Sequence, residues 1–245
     1  MHIEKYTKLK GGQYKLNLDD GTNVLLHEDL ILKYNLLIIK EVTREQLDEL
    51  LEENTSYIAY SLCLDYLKTK MRSKKEIKEY LLKKEVKEEF INNAIDILSN
   101  QGYLNDEVYC KAFINDRINL SSDGPFKIKE NLLKLGIDEQ IIQKNITIFN
   151  SELELERIRK LIDKHIKTNH NKSKYALKKK IVDNLTTLGY TKYLVIQEIE
   201  SLEINDNDIK EKEYQKLYDK LSKKYSGKEL EYKIKQKMYQ KGFNI

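Results

Sequence analysis

The sequence predicts an all-α fold of tandem three-helix repeats in an elongated, curved array, preceded by a small N-terminal β-hairpin segment. Three observations carry this. One eleven-residue stretch is written four times, as EIKEYLLKKEV (76–86), KIKENLLKLGI (127–137), KIVDNLTTLGY (180–190) and KIKQKMYQKGF (233–243). Their ends lie 51, 53 and 53 residues apart, a spacing typical of stacked supersecondary units. Composition agrees: 34% of the 245 residues are charged and 40% hydrophobic, with one proline and nine glycines, the profile of a soluble helix-rich chain. Strand-like alternation, finally, is confined to residues 1–27.

Each copy specifies a short amphipathic helix and its stop. Apolar residues recur four apart, at Ile77/Leu81, Ile128/Leu132, Ile181/Leu185 and Ile234/Met238, so they share one face. Gly136, Gly189 and Gly242 stand where the helix must end, because the residue after a helix adopts a left-handed conformation that a Cβ penalises. An apolar residue follows in every copy (Val86, Ile137, Tyr190, Phe243), five after Leu81, Leu132, Leu185 or Met238, as the contact of a Schellman ending requires. The first copy has Glu85 in place of glycine, which leaves a different geometry open there.

In chain order, Tyr14, Leu16 and Leu18 alternate with polar residues, and Val24 and Leu26 resume the alternation after Asp20-Gly21. Asp-Gly between such runs signals a hairpin, because glycine accepts the positive φ of a tight turn. Gly11-Gly12 marks an earlier turn, giving two or three strands that are marginal alone and must lean on the succeeding helices. From Glu28 the pattern is helical throughout. Thr43-Arg-Glu-Gln46 matches a capping box and opens a short helix to Glu53.

The expected organisation is a leading segment over residues 1–54, repeats over 55–104, 105–150 and 151–205, and a partial two-helix repeat over 206–245. The first repeat has helices over 57–69, from the capping box Ser73-Lys-Lys-Glu76, and over 88–101. The second has helices over 106–119, 125–135 and 138–149, with Pro125 in a first turn where its missing N–H costs nothing. Ser151-Glu-Leu-Glu154 opens the third, which continues over 173–188 and 192–202. The fourth begins near Asn207, includes the capping-box match Ser226-Gly-Lys-Glu229 and ends after the repeated helix. Terminal units of repeat proteins are commonly atypical.

Several function classes find no support. No apolar run approaches the ~18–20 residues of a membrane span, and the N-terminus lacks a secretory pattern, so a cytoplasmic protein without a membrane partner is expected. Cys63 and Cys110 lie in apolar helical contexts and read as reduced thiols. His165 and His170 are five apart, not the four that would place zinc ligands on one helical face. Glu152, Glu154 and Glu156 diverge on a helix and suit a first turn, where acids meet the helix dipole favourably. Asn205-Asp206-Asn207-Asp208 lacks the glycine of an EF-hand loop, and no phosphate-binding loop is present. The expectation is a monomer with no catalytic residues, metal site or cofactor.

Met71-Arg72-Ser73-Lys74-Lys75-Glu76-Ile77 with Leu81, then Gly102-Tyr103-Leu104-Asn105-Asp106, resembles the RecX family of recombination regulators. So do Gly124-Pro125 through Leu135-Gly136-Ile137, and the leading segment with Asp20-Gly21, Glu28, Leu32 and Tyr34-Asn35-Leu36. The resemblance covers essentially the whole chain, and its specificity lies in the order and spacing of helix starts and stops. Two positions depart from it: Lys84-Glu85 and Leu135-Gly136 stand where Lys-Gly is common, and Phe126 precedes Lys127 where basic residues are usual. The resemblance implies a protein with no catalytic activity that binds the RecA recombinase, lodging in the groove of its filament on single-stranded DNA and restraining ATPase activity and strand exchange. A curved repeat array offers the long continuous surface such a groove needs.

Basic residues gather on the repeated helices: Arg72, Lys74, Lys75 and Lys78; Lys127 and Lys129; Lys172, Lys174, Lys178, Lys179 and Lys180; Lys228, Lys233, Lys235 and Lys237. Glu76, Glu79, Glu130, Glu229 and Glu231 balance them, so a merely solvated helix face is one reading. The other is a stripe that meets an acidic filament surface or phosphates. The candidate partner- or DNA-binding residues are Arg72, Lys74, Lys75, Lys78, Lys127, Lys129, Lys174, Lys178, Lys179 and Lys180. Tyr66, Tyr80, Tyr175 and Tyr193 are either base-stacking platforms or half-buried packing residues. The net charge of +4 permits a nucleic-acid partner without demanding one, and direct binding of single-stranded DNA is the alternative function. Charge reversal at Arg72, Lys74 and Lys75 is expected to weaken filament inhibition and leave helical content unchanged.

Overall fold

A computed structural model describes every residue except Lys10, His170 and Ile245. The leading segment forms a three-stranded antiparallel sheet, β1 (Ile3–Lys8), β2 (Gln13–Leu18) and β3 (Asn23–His27), in that order. Register follows the hydrophobic alternation: Leu16 pairs with Val24, and Leu16, Leu18, Val24 and Leu26 are buried on one face. At the Asp20-Gly21 turn Gly21 has φ 83°, and Asp20 Oδ1 accepts the Thr22 N–H at 2.8 Å.

The pattern after Glu28 is not helical throughout. α1 (Glu28–Lys33) gives way to a turn, and the chain returns beside its own start, where the Ile3 N–H donates to Lys40 O and the Val42 N–H to Met1 O. Nor does a helix end at Glu53. α2 (Arg44–Leu67) runs unbroken for 24 residues from the Thr43 capping box. It is shared by two cores: Leu47 and Leu50 pack under the sheet, Ala59 and Cys63 against the next helices. Between these pairs, the buried Asn54 accepts the His27 N–H at 2.7 Å and donates to Leu25 O at 2.9 Å. Its amide thereby occupies the outer edge of β3, where a neighbouring strand would otherwise bond.

Twelve α-helices are present among the described residues. After α2 come α3 (Lys74–Leu82), α4 (Glu88–Asn100), α5 (Asp106–Leu120), α6 (Pro125–Lys134) and α7 (Glu139–Asn145). Then come α8 (Ser151–Thr168), α9 (Lys174–Thr187), α10 (Lys192–Glu200), α11 (Asn207–Leu221) and α12 (Gly227–Gln240). Two compact units result, one of residues 1–109 with 135–137, the other of residues 110–134 with 138–245.

The repeated helices α3, α6, α9 and α12 bury the predicted apolar pairs: Ile77, Leu81, Ile128, Leu132, Ile181, Leu185, Ile234 and Met238 are all at most 1% exposed. Their endings are Schellman-like, with Val86, Tyr190 and Phe243 N–H groups donating to Leu81, Leu185 and Met238 carbonyls. Glu85 adopts the same ending without glycine, at φ 60°. Helix starts depart from expectation in two places. Asn150, not Ser151, caps α8, and Ser226 precedes α12 without a capping bond from its side chain.

A second regularity explains the glycines. In the first unit the buried Ser73 hydroxyl, which caps α3, donates to Leu135 O at 2.7 Å, beside Gly136. In the second unit the Gly124 and Phe126 N–H groups at the start of α6 donate to Leu188 O and Gly189 O, at 2.7 and 3.0 Å. The Ser173 hydroxyl at the start of α9 donates likewise to Lys241 O at 2.6 Å, beside Gly242. Thus α6 and α9 each set their N-terminus against the glycine ending of the next repeated helix, pairing opposite ends of the helix dipole, and the start of α3 meets Leu135 and Gly136 in the same way. A Cβ on Gly136, Gly189 or Gly242 would lie 2.7 Å from Lys75 Cβ, 2.6 Å from Lys127 Cβ or 2.8 Å from Ser173 Oγ. Glu85 ends the first repeated helix, which has no repeated helix before it to set a start against this ending, and its side chain is exposed.

Candidate partner-binding surface

The basic residues on the repeated helices fall into three groups. The first is structural. Arg72 is only 12% exposed in its side chain and stacks on Tyr66, its guanidinium 3.8 Å from the ring centroid. Tyr66 stacks on Tyr80 with centroids 4.1 Å apart, and the Lys84 ammonium lies 5.9 Å from the Tyr80 centroid. The Arg72 guanidinium also reaches Glu76 at 3.4 Å and Thr69 Oγ1 at 3.2 Å, and its Nε is buried with no hydrogen-bond partner among the described residues. Glu76 is the hub: it accepts from the Ser73 N–H and the Tyr109 hydroxyl, both at 3.0 Å. Burial pushes the Glu76 carboxyl up, but these bonds, with the charge of Lys70, hold it below the usual carboxylate range. Breaking such a buried charge network costs about 3–5 kcal/mol, against ~0–1 kcal/mol for an exposed ion pair. Reversal of Arg72 would therefore disturb the fold, and Tyr66 and Tyr80 are occupied with each other.

The second group forms internal ion pairs. Lys78 Nζ meets Glu88 at 2.5 Å and Lys129 Nζ meets Glu139 at 2.7 Å. Both pairs join a repeated helix to the first turn of the helix after it, at equivalent positions in α3/α4 and α6/α7. Lys75 pairs with Glu79 at 3.9 Å while its aliphatic stem covers Gly136, and Lys180 Nζ donates to Asn169 Oδ1 at 2.6 Å.

The third group comprises Lys74, Lys127, Lys174, Lys178 and Lys179, whose ammonium groups have no ion pair or hydrogen bond among the described residues. The backbones of Lys74 and Lys174 are fixed in the same way: their N–H groups donate to Asp106 and Asp206, at 3.1 and 2.6 Å. The Lys74, Lys174 and Lys179 side chains project into solvent, and Lys178 is half-buried. Lys179 and Lys180 line one cleft on the second unit together with Lys241. Tyr175 and Tyr193 are exposed.

Charged residues with internal duties went unrecognised in the sequence. The Arg157 guanidinium donates to Ile118 O, to Ser121 O at 2.6 Å and to the Tyr190 hydroxyl at 3.2 Å, closing the end of α5. Glu154 lies in the first turn of α8, as its spacing suggests, but is buried and accepts the Thr191 N–H at 2.8 Å, at the start of α10. His165 is half-buried and lies 3.0 Å from Asn184 Oδ1; His170 is outside the described residues. Burial pushes the Cys63 thiol up to about 12. Among the described residues no group of three or more His, Cys, Asp or Glu side chains converges, and no helix is long and apolar enough to cross a membrane.

These features define a helical-repeat protein whose conspicuous chemistry is an array of lysines at helix starts. Family models described as RecX, first three-helix domain, and RecX, second three-helix domain, match residues 59–98 and 105–144. The chain is 32% identical to the regulatory protein RecX of Streptococcus agalactiae, covering 98% of this chain and 93% of the relative. It is 30% identical to that of Halalkalibacterium halodurans, covering 89% and 84%. A crystal structure of regulatory protein RecX superposes with TM-score 0.65 at 27% identity, over 80% of this chain and 98% of that one. The structure of RecX from Lactobacillus salivarius gives 0.56 at 27% identity, over 61% and 99%. The chain belongs to the RecX family of regulatory proteins.

Proposed function

We propose that the protein is a non-enzymatic regulator of homologous recombination and DNA repair that binds the groove of the RecA filament on single-stranded DNA. There it restrains ATPase activity and strand exchange. Family membership across nearly the whole chain carries this reading. The repeats over residues 55–104, 105–150 and 151–205 supply the recognition surface, flanked by 1–54 and 206–245, and the protein acts in the cytoplasm as a monomer. Lys74, Lys127, Lys174 and Lys178 are the contact residues best suited to the task, because binding need not first break an internal pair. Their ammonium groups meet acidic filament surface or phosphates, so affinity falls as salt rises.

Co-sedimentation with filaments of the cognate recombinase on single-stranded DNA tests this. Lys74→Glu, Lys174→Glu and Lys178→Glu combined should sharply reduce recovery with the filament while circular dichroism is unchanged. Undiminished recovery would overturn the assignment of these residues.

A further inference from the structure

We propose that the second unit carries a binding trough for unpaired nucleotides of a single DNA strand, between the start of α9 and the end of α12. The inference stands apart from recombinase binding. A cleft of about 600 Å³ lies there, lined by Tyr175, Lys179, Lys180, Asp183, Tyr239 and Lys241 among others. It adjoins a second concavity of about 460 Å³ that runs on past the same two tyrosines to Phe243 and Asn244. Tyr175 is 66% exposed and Tyr239 79% exposed, so two aromatic faces stand in solvent at the meeting point of the two hollows. Buried tyrosines elsewhere in the chain, such as Tyr190, are committed to packing.

The site is rigidly built. The buried Ser173 hydroxyl ties the start of α9 to the Lys241 carbonyl just past the end of α12. Gly242 lets the two elements close, since a Cβ there would sit 3.0 Å from Tyr175 Cδ1. Tyr175, Lys179, Asp183 and Thr187 recur four apart on α9 and so share the face that forms one wall. α9 carries four lysines and one aspartate. Lys180 and Lys241 are held by Asn169 and Glu213, and Lys179 is without such a partner among the described residues.

Aromatic faces beside a lysine track are what an unpaired strand uses: bases stack on the rings and phosphates meet the ammonium groups. An acidic peptide would use the lysines and leave both rings idle. Duplex DNA keeps its bases stacked internally, so it would also leave the rings idle. The continuation of the trough beyond the tyrosines fits a strand rather than a single nucleotide.

The test is fluorescence anisotropy of a labelled oligothymidine with the full chain and no recombinase. The wild type should bind, with affinity falling steeply with salt. Tyr175→Ala with Tyr239→Ala should weaken binding about tenfold or more, and the matching phenylalanine variants should restore it, because stacking needs the ring and not the hydroxyl. Wild type should likewise bind an abasic strand of equal charge about tenfold less well. Both rings are exposed, so melting curves of the variants should overlay that of the wild type. No binding by the wild type, full affinity in the double alanine variant, equal affinity for the abasic strand, or equal competition by polyglutamate would each overturn the proposal. Since recombinase is left out, failure here leaves filament regulation standing, and failure of filament regulation leaves this trough standing.

Discussion

Replacing Gly189 by alanine isolates the contact that repeats along the chain. Gly189 has φ +86°, and its added Cβ would press on Lys127 N and lie 2.6 Å from Lys127 Cβ and 3.0 Å from Lys127 Cα. Backbone cannot swing aside as a flexible side chain can, so the start of α6 must move. That movement threatens the bonds from the Gly124 and Phe126 N–H groups to Leu188 O and Gly189 O. The left-handed conformation alone costs alanine about 1–2 kcal/mol. Overpacking adds roughly 1–3 kcal/mol and each weakened bond about 1 kcal/mol, for a total of roughly 4 kcal/mol or more. Gly102 is the internal control: it ends α4 at φ +80° with nothing within 4 Å of an added Cβ. Gly102→Ala should therefore cost only the conformational part, about 1–2 kcal/mol. At about 2–4 °C per kcal/mol for a chain of this size, thermal unfolding by circular dichroism should separate the two variants clearly. Equal losses of Tm would refute the reasoning, because the glycine would then be needed only for its φ.

The same geometry makes three further outcomes testable. Asn54→Ala removes both bonds at the edge of β3 and leaves two partly buried backbone groups without this partner, so urea denaturation should show a loss of about 1–3 kcal/mol with faster exchange of the His27 amide. The Glu76 carboxyl is held below its unfolded value of 4.5, so its stabilisation is present above that pH and is lost as pH falls below it. Glu76→Gln should flatten that acid-side decline, and an unchanged decline would show that Glu76 does not contribute to it. Cys63 is fully buried with its thiol pushed up to about 12, so a maleimide should leave it unmodified at neutral pH until the protein is denatured.

Elements governed by local chemistry were legible in the sequence. The Asp20-Gly21 turn, the Thr43 and Ser73 capping boxes and the apolar pairs of the repeated helices depend on residues no more than five apart. The reason for the three glycines that end repeated helices was only half visible. A positive φ could be inferred, whereas the close approach of the preceding repeated helix joins positions 62 to 68 residues apart. The same limit hid the continuity of α2, because Asn54 looks like a helix boundary until its partners on β3 are known. Arg72 shows how the candidate surface misled. Its place beside Lys74 and Lys75 suggested a solvent-facing cluster, yet Tyr66, Tyr80 and Glu76 draw its guanidinium inward. A long planar cation flanked by tyrosines six residues before it and eight after it was the available signal.

The proposed target of this protein is the recombinase itself. ATP hydrolysis by the cognate RecA on single-stranded DNA, followed as this protein is titrated in, tests this most directly. Turnover should fall with increasing protein, and the Lys74→Glu, Lys174→Glu and Lys178→Glu combination should blunt the fall. Turnover unchanged by the wild-type protein at several-fold excess over RecA would contradict the account.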